Sequence, residues 1–123
     1  MFGINNVEQA RKNVESARQN LAQSAVAMDG SIRELSNAVN AVAHAEGVAE
    51  VHYIKERMEA NGVSPELIAL ELAGRMSNGA DDGWSGRGND VQRSRFDGFR
   101  EAAQIIISNV RYEMEREAEA LDA

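Results

Sequence analysis

The sequence predicts an all-α protein, a helical bundle of four to five helices with an N-terminal helical hairpin or coiled-coil-like arm. Three observations predict this class: apolar residues recur at heptad spacing near the start, helix-capping residues punctuate the middle, and an apolar stripe at helical spacing follows toward the end. The chain has 123 residues, of which 43% are hydrophobic and only 5% aromatic. A core of small and aliphatic side chains in a chain of this length suits one bundle of closely packed helices.

The N-terminal segment carries the clearest periodicity. Six apolar residues occur at every seventh position: Val7, Val14, Leu21, Met28, Leu35 and Val42. A heptad repeat is typical of a helix that packs along another helix. Arg11 and Arg18 interrupt the second apolar track, which favours packing within a bundle over a long dry coiled coil. A monomer would leave the apolar face formed by these heptad positions incompletely packed. The six positions are therefore predicted to form the interface of a homodimer or higher oligomer.

A possible turn divides this segment. Gly30 is suited to end one helix, and Ser31 with Glu34 has the form of a capping box that begins the next. We therefore favour two helices, 5–28 and 32–46, arranged as a hairpin. One uninterrupted helix over both ranges is the alternative, because a glycine within a helix costs only about 1 kcal/mol relative to alanine.

Beyond residue 46 the heptad phase slips, and Gly47 stands at the discontinuity. We expect a break there, so that residues 1–46 form the arm and residues 47–123 a helical core. A helix over 48–60 should end at Asn61-Gly62. Ser64 and Pro65 are favourable at the N-cap and first position of the next helix.

Two helices are expected in the rest of the chain. The first, over 65–77, is apolar around most of its circumference and is predicted to be the most buried element. A Gly-rich loop follows at 78–89, and a long C-terminal helix spans 90–121. The core-facing stripe of that last helix is predicted to comprise Phe96, Phe99, Ala103, Ile106, Val110, Met114 and Leu121.

The Gly-rich loop is the strongest candidate for a ligand site. Backbone N–H groups of a glycine loop and of a helix start attract anions, and arginines follow closely. An anionic nucleotide would contact Trp84, Arg87, Asn89, Arg93 and Arg100. The sequence nonetheless matches no known phosphate-loop pattern. We favour a plain connector whose neighbouring arginines pair with acids such as Asp97 or Glu101.

No catalytic or metal-binding constellation stands out. His44 and His52 are interpreted as surface residues, since a metal would need at least one further converging ligand. The acidic runs are interpreted as solvated, and no serine has the context of a nucleophile. The sequence therefore predicts a protein that is not an enzyme and needs no cofactor or metal.

Charge narrows the choice of partners. The formal net charge is −7, with a sequence pI near 4.8, which disfavours general binding to nucleic acids or anionic membranes. The absence of cysteine, of a secretion signal and of a roughly 20-residue apolar span predicts a cytoplasmic location.

These features together predict a small acidic, non-enzymatic binding or inhibitory protein that acts through protein–protein contacts. Such proteins are common among the accessory proteins of bacteria and their phages or prophages. The alternative is an oligomeric module that captures a nucleotide at the Gly-rich loop.

Overall fold

The computed structural model describes residues 7–27, 32–81 and 90–122, and all of them are helical or lie in one short turn. The four helices are α1 (Val7–Ala27), α2 (Ile32–Ala60), α3 (Pro65–Asp81) and α4 (Asp90–Asp122). Helix α2 is central, since it packs against each of the other three, while α3 also packs on α4. The predicted all-α bundle is confirmed. Within these ranges no helix has a stretch long and apolar enough to cross a membrane.

Helices α1 and α2 lie side by side and antiparallel. The backbone N–H of Val7 donates to Glu56 Oε2 at 2.8 Å, and Arg18 Nη2 lies 2.7 Å from Glu46 Oε2. These contacts require the chain to reverse direction between the helices, so the preferred hairpin is correct and a single helix is excluded. The proposed turn at 29–31 and Met28 lie outside the described residues. The coiled-coil-like character of the arm stays a prediction.

The predicted break at Gly47 is wrong. Helix α2 continues through this position to Ala60, and the expected boundary between residues 46 and 47 falls inside it. Gly47 lies where α2 and α4 make a close backbone contact. A Cβ atom there would overlap the carbonyl oxygen of Arg95 and come within 2.8 Å of the Phe99 backbone nitrogen. The glycine therefore allows the backbone of α4 to lie directly on that of α2.

Helix α4 contributes a matching glycine to this crossing. A Cβ atom on Gly98 would overlap the carbonyl oxygen of His44. Two polar side-chain contacts flank the crossing: His44 Nε2 lies 3.0 Å from Glu101 Oε2, and Arg95 Nη2 forms an ion pair with Glu50 Oε1 at 3.2 Å. The phase slip in the sequence thus falls where α4 crosses α2, within one continuous helix.

The predicted end of α2 and start of α3 are both confirmed. Gly62 has a φ of 77°, its N–H donates to the carbonyl of Glu59 at 3.0 Å, and the Val63 N–H donates to the carbonyl of Met58 at 3.0 Å. This pair of bonds is the Schellman ending of a helix. Ser64 then caps α3 by accepting the Leu67 N–H at 3.4 Å on its side-chain oxygen.

The main core lies where α2, α3 and α4 meet. Its fully or nearly fully buried members are Val48, Val51, Ile68, Leu72, Phe99, Ala102, Ala103 and Ile106. Alanines provide part of the contact surface, as expected from the low aromatic content. The predicted stripe of α4 is therefore correct only over its first half. Beyond it Val110 is half-buried, Met114 is 50% exposed and Leu121 is 86% exposed.

Helix α3 is not the most buried element. Ile68 and Leu72 enter the core, but Leu67 and Leu70 lie on the surface, with Leu70 68% exposed. The helix also runs to Asp81, four residues beyond its predicted end and into the expected 78–89 loop. The rest of that loop, residues 82–89, lies outside the described residues.

Candidate functional site

An apolar groove runs along the surface between α3 and the second half of α4. We call it the α3–α4 groove; its volume is about 650 Å³. The residues that line it are Glu66, Leu67, Ala69, Leu70, Ala73, Ile107, Val110, Arg111, Met114, Glu115 and Ala118. Eight of these eleven side chains are aliphatic, so the surface of the groove is apolar along most of its length.

The groove exists because α4 is longer than the elements that cover it. Every described residue from 111 to 121 is exposed, although the helix carries Met114 and Leu121 on its apolar side. Helix α3 is apolar on two sides. One side faces the core through Leu72, and the other leaves Leu70 uncovered beside α4. The four described helices thus leave a continuous apolar surface at this edge of the bundle.

Charged residues stand at the margins of the groove. Glu66, Arg111 and Glu115 line it directly. Farther along α4, Arg116 is held 3.3 Å from Glu113, and the last turn contains no basic residue. Glu117 and Glu119 are exposed there. Acidic side chains near a helix C-terminus add to the negative end of the helix dipole, so this end of the groove is electronegative.

The six positions predicted as an oligomer interface lie mostly in the α1–α2 hairpin. Val7 and Val14 line a shallow depression with Ala49 and Tyr53 of α2. Leu21, Leu35 and Val42 are half-buried, and Met28 lies outside the described residues. These side chains therefore have part of their surface covered by their own chain. Their role between chains stays a prediction.

The predicted nucleotide site is only partly described. Trp84, Arg87 and Asn89 lie outside the described residues. Arg93 is exposed on α4. Arg100 lies 3.4 Å from Asp97 and about 6.0 Å above the ring of Phe96, which confirms the expected pairing of an arginine with Asp97. Of the five predicted ligand-binding residues the structure describes only these two, which lie seven positions apart on α4, so the ligand site stays a prediction.

The two histidines differ, and the surface interpretation is wrong for His52. His44 is half-buried and pairs with Glu101. His52 is only 7% exposed, next to the core residue Val51, and its Nδ1 has no hydrogen-bond partner. Burial lowers the pKa of His52, nearby Lys55 lowers it further, and Glu56 partly opposes both effects. Position 52 lies one helical turn after the buried Val48, so α2 places it beside the core.

Several surface ion pairs lie within the described ranges. Those ranges contain no cluster of three histidine or acidic side chains arranged to hold a metal ion. The ion pairs, such as Arg75 Nε to Glu71 Oε2 at 2.7 Å, have both partners exposed to solvent. A binding surface is consequently the candidate site with the best geometric support.

The residue pattern of α3 does not indicate that Leu67 and Leu70 are surface residues. A helix that is apolar on all sides normally indicates burial, and this rule gave the wrong result for α3. One signal was available: the apolar stripe of α4 extends to Leu121, longer than the predicted 65–77 helix that would cover it. A stripe without an equally long partner helix predicts exposed apolar surface.

Comparisons with known proteins give no relative. No protein family matches the chain, and neither a curated protein nor a solved structure is detectably similar to it.

Proposed function

We propose that this protein is a non-enzymatic binding or inhibitory protein that docks another protein in the α3–α4 groove. The exposure of Leu70 and Met114 along a continuous apolar groove carries the proposal. Large contiguous apolar patches on a small protein typically mark interaction sites. Two helices with a groove between them suit the docking of a third helix. Inhibition would follow if the docked segment is one that the partner needs for its own activity.

Several energetic considerations support a docking function for this surface. Fully burying a leucine or methionine side chain stabilises a complex by about 1.5–3 kcal/mol. Leu67, Leu70 and Met114 lie half or more exposed around one groove, where a single partner helix would cover all three. Binding energy at protein interfaces is commonly concentrated in a few residues.

The homo-oligomer predicted through Val7, Val14, Leu21, Met28, Leu35 and Val42 remains a separate proposal. Replacing Leu21 and Leu35 by glutamate should dissociate such an assembly, and light scattering after size-exclusion chromatography measures it. A monomeric wild-type protein at micromolar concentration would contradict the assembly. The nucleotide alternative and the cytoplasmic location stay predictions. A nucleotide at about 100 times its dissociation constant should add about 2.7 kcal/mol of stability in a thermal-shift screen.

Site-specific photocrosslinking tests the groove in the cells of origin. A photoreactive residue replaces Leu70 in the full chain, and the matched control carries it at Ile105, which is 61% exposed on α4 but does not line the groove. We expect a covalent adduct with another protein from position 70 and a much weaker one from position 105. Equal adducts from both positions, or none, would contradict a protein-docking role for the groove.

A further inference from the structure

The α3–α4 groove has the length of a short helix. Its lining on α4 extends from Ile107 to Ala118, which at 1.5 Å per residue is about 17 Å, or three helical turns. Apolar side chains of both helices line the groove, Leu67 and Leu70 from α3 and Ile107 and Met114 from α4. A helix with apolar side chains at three- and four-residue spacing fits such a surface by ridges-into-grooves packing.

Charge decides what kind of helix fits. Two acids and one base, Glu66, Glu115 and Arg111, line the groove itself. Toward the C-terminus of α4, Glu117 and Glu119 add negative charge at a helix end that already carries a partial negative charge. Basic side chains on the flanks of an incoming helix would be attracted to this margin. A second copy of the chain would bring the same acidic end and a net charge of −7.

We propose that the occupant of the groove is a basic amphipathic helix of a partner protein, about three turns long, with leucine-type residues on one face. The proposal rests on the proposed function and adds the chemistry of the partner. Lysine or arginine residues of that helix lie against Glu115 and the acidic end of α4. Apolar contact with Leu67, Leu70 and Met114 supplies the affinity, and the charges supply orientation and discrimination.

Two synthetic 18-residue peptides test this partner chemistry on the full chain. Both carry leucines at the same helical positions; one has lysines on its flanks, and the other has glutamates there. We expect the fluorescently labelled lysine peptide to bind at least tenfold more tightly than the glutamate peptide in anisotropy titrations. Its affinity should fall as salt is raised, because screening weakens the charge contribution.

Leu70→Glu separates groove binding from nonspecific attraction. This substitution makes the protein more acidic, so a purely electrostatic complex with the lysine peptide would become tighter. Binding in the groove should instead weaken at least tenfold. Ile105→Glu changes the charge equally outside the groove and should leave the affinity within twofold of wild type. Circular dichroism and thermal unfolding confirm that both variants are folded, as expected for such exposed positions.

Three results would overturn the proposal: equal affinity for the two peptides, unchanged lysine-peptide affinity in Leu70→Glu, or a wild-type dimer that this substitution dissociates. Mapping the protein segment crosslinked to position 70 tests the docking function separately from the basic, helical character of the partner. A basic helical segment supports both. An acidic or non-helical segment of another protein overturns the partner chemistry and leaves the docking function standing, whereas no adduct removes the docking function itself.

Discussion

Helix α4 makes two opposite kinds of contact at its two halves. At the crossing with α2, Gly47 and Gly98 bring the backbones together, and no space remains for an added methyl group. In the α3–α4 groove the same helix leaves Met114 half exposed. The first half of α4 thus stabilises the fold, and the second half carries the proposed docking surface. Substitutions at the crossing should unfold the protein, whereas substitutions in the groove should spare its fold.

The largest expected effect comes from Gly98→Ala. Its methyl group would overlap the carbonyl oxygen of His44, and a backbone atom cannot move aside as a side-chain end can. We expect a loss of about 4 kcal/mol in the free energy of unfolding, above the usual over-packing cost of about 1–3 kcal/mol. Urea unfolding followed by circular dichroism measures it.

Gly74→Ala is the matched control on α3. A Cβ atom at this position meets nothing within 4 Å, so alanine should stabilise the protein by about 0.5–1 kcal/mol through its helix propensity alone. If both variants gained stability, the close crossing of α2 and α4 would be wrong.

Leu72→Ala and Leu70→Ala compare the two sides of α3. Leu72 is fully buried against the core, and its truncation should cost about 3 kcal/mol through lost burial and the cavity left behind. Leu70 lies in the groove, and its truncation should change stability by less than about 0.5 kcal/mol while weakening peptide binding. Thermal unfolding of the two variants measures the difference. Similar losses in both would show that the groove is covered in the free protein.

His52 should make the core sensitive to mild acid. Its pKa is lowered in the folded state, so the unfolded chain binds a proton more readily as the pH falls through about 6.5. His52 should therefore leave the free energy of unfolding unchanged above about pH 6.5 and should lower it below that pH. His52→Leu should remove that part of the decrease in urea unfolding between pH 7 and pH 5. An identical pH dependence in both proteins would contradict the buried, unpartnered imidazole.

The smallest expected effects are those of the surface ion pairs. Arg95–Glu50 joins α4 to α2 beside the crossing, whereas Arg75–Glu71 lies within α3. Both pairs are substantially exposed, so double-mutant cycles should give about 1 kcal/mol or less for the first and about 0.3–0.5 kcal/mol for the second. A larger coupling energy for Arg75–Glu71 than for Arg95–Glu50 would contradict this prediction.

Local signals in the sequence were sufficient for the end of α2 and the start of α3. Helix ends depend on hydrogen bonds between residues a few positions apart. The structure shows such bonds at Asn61-Gly62, where α2 ends, and at Ser64-Pro65, where α3 begins. The apolar stripe of α4 was also visible, because its spacing depends only on helix geometry. Secondary structure in this chain was therefore largely predictable.

Packing between distant segments was not predictable from the same signals. A glycine inside a helix has the same local cost whether it ends the helix or faces another backbone, so the local pattern predicts a break at Gly47. Its role in the fold depends on the backbone of Arg95 and Phe99, far along the chain. The exposure of Leu70 likewise depends on the relative lengths of α3 and α4, which the residue pattern of α3 alone does not contain. The candidate site was consequently missed, although each residue that forms it was assigned to the correct helix.

The glycine crossing also affects how relatives of this protein are to be recognised. At each of these two positions an added Cβ atom would meet backbone atoms of the facing helix, and no change of side chain elsewhere moves those atoms aside. Any homologue with this arrangement should keep small residues at the equivalents of Gly47 and Gly98, even where the surrounding sequence has diverged. That pair is a more specific signature for a search than the heptad pattern, which many unrelated helical proteins share.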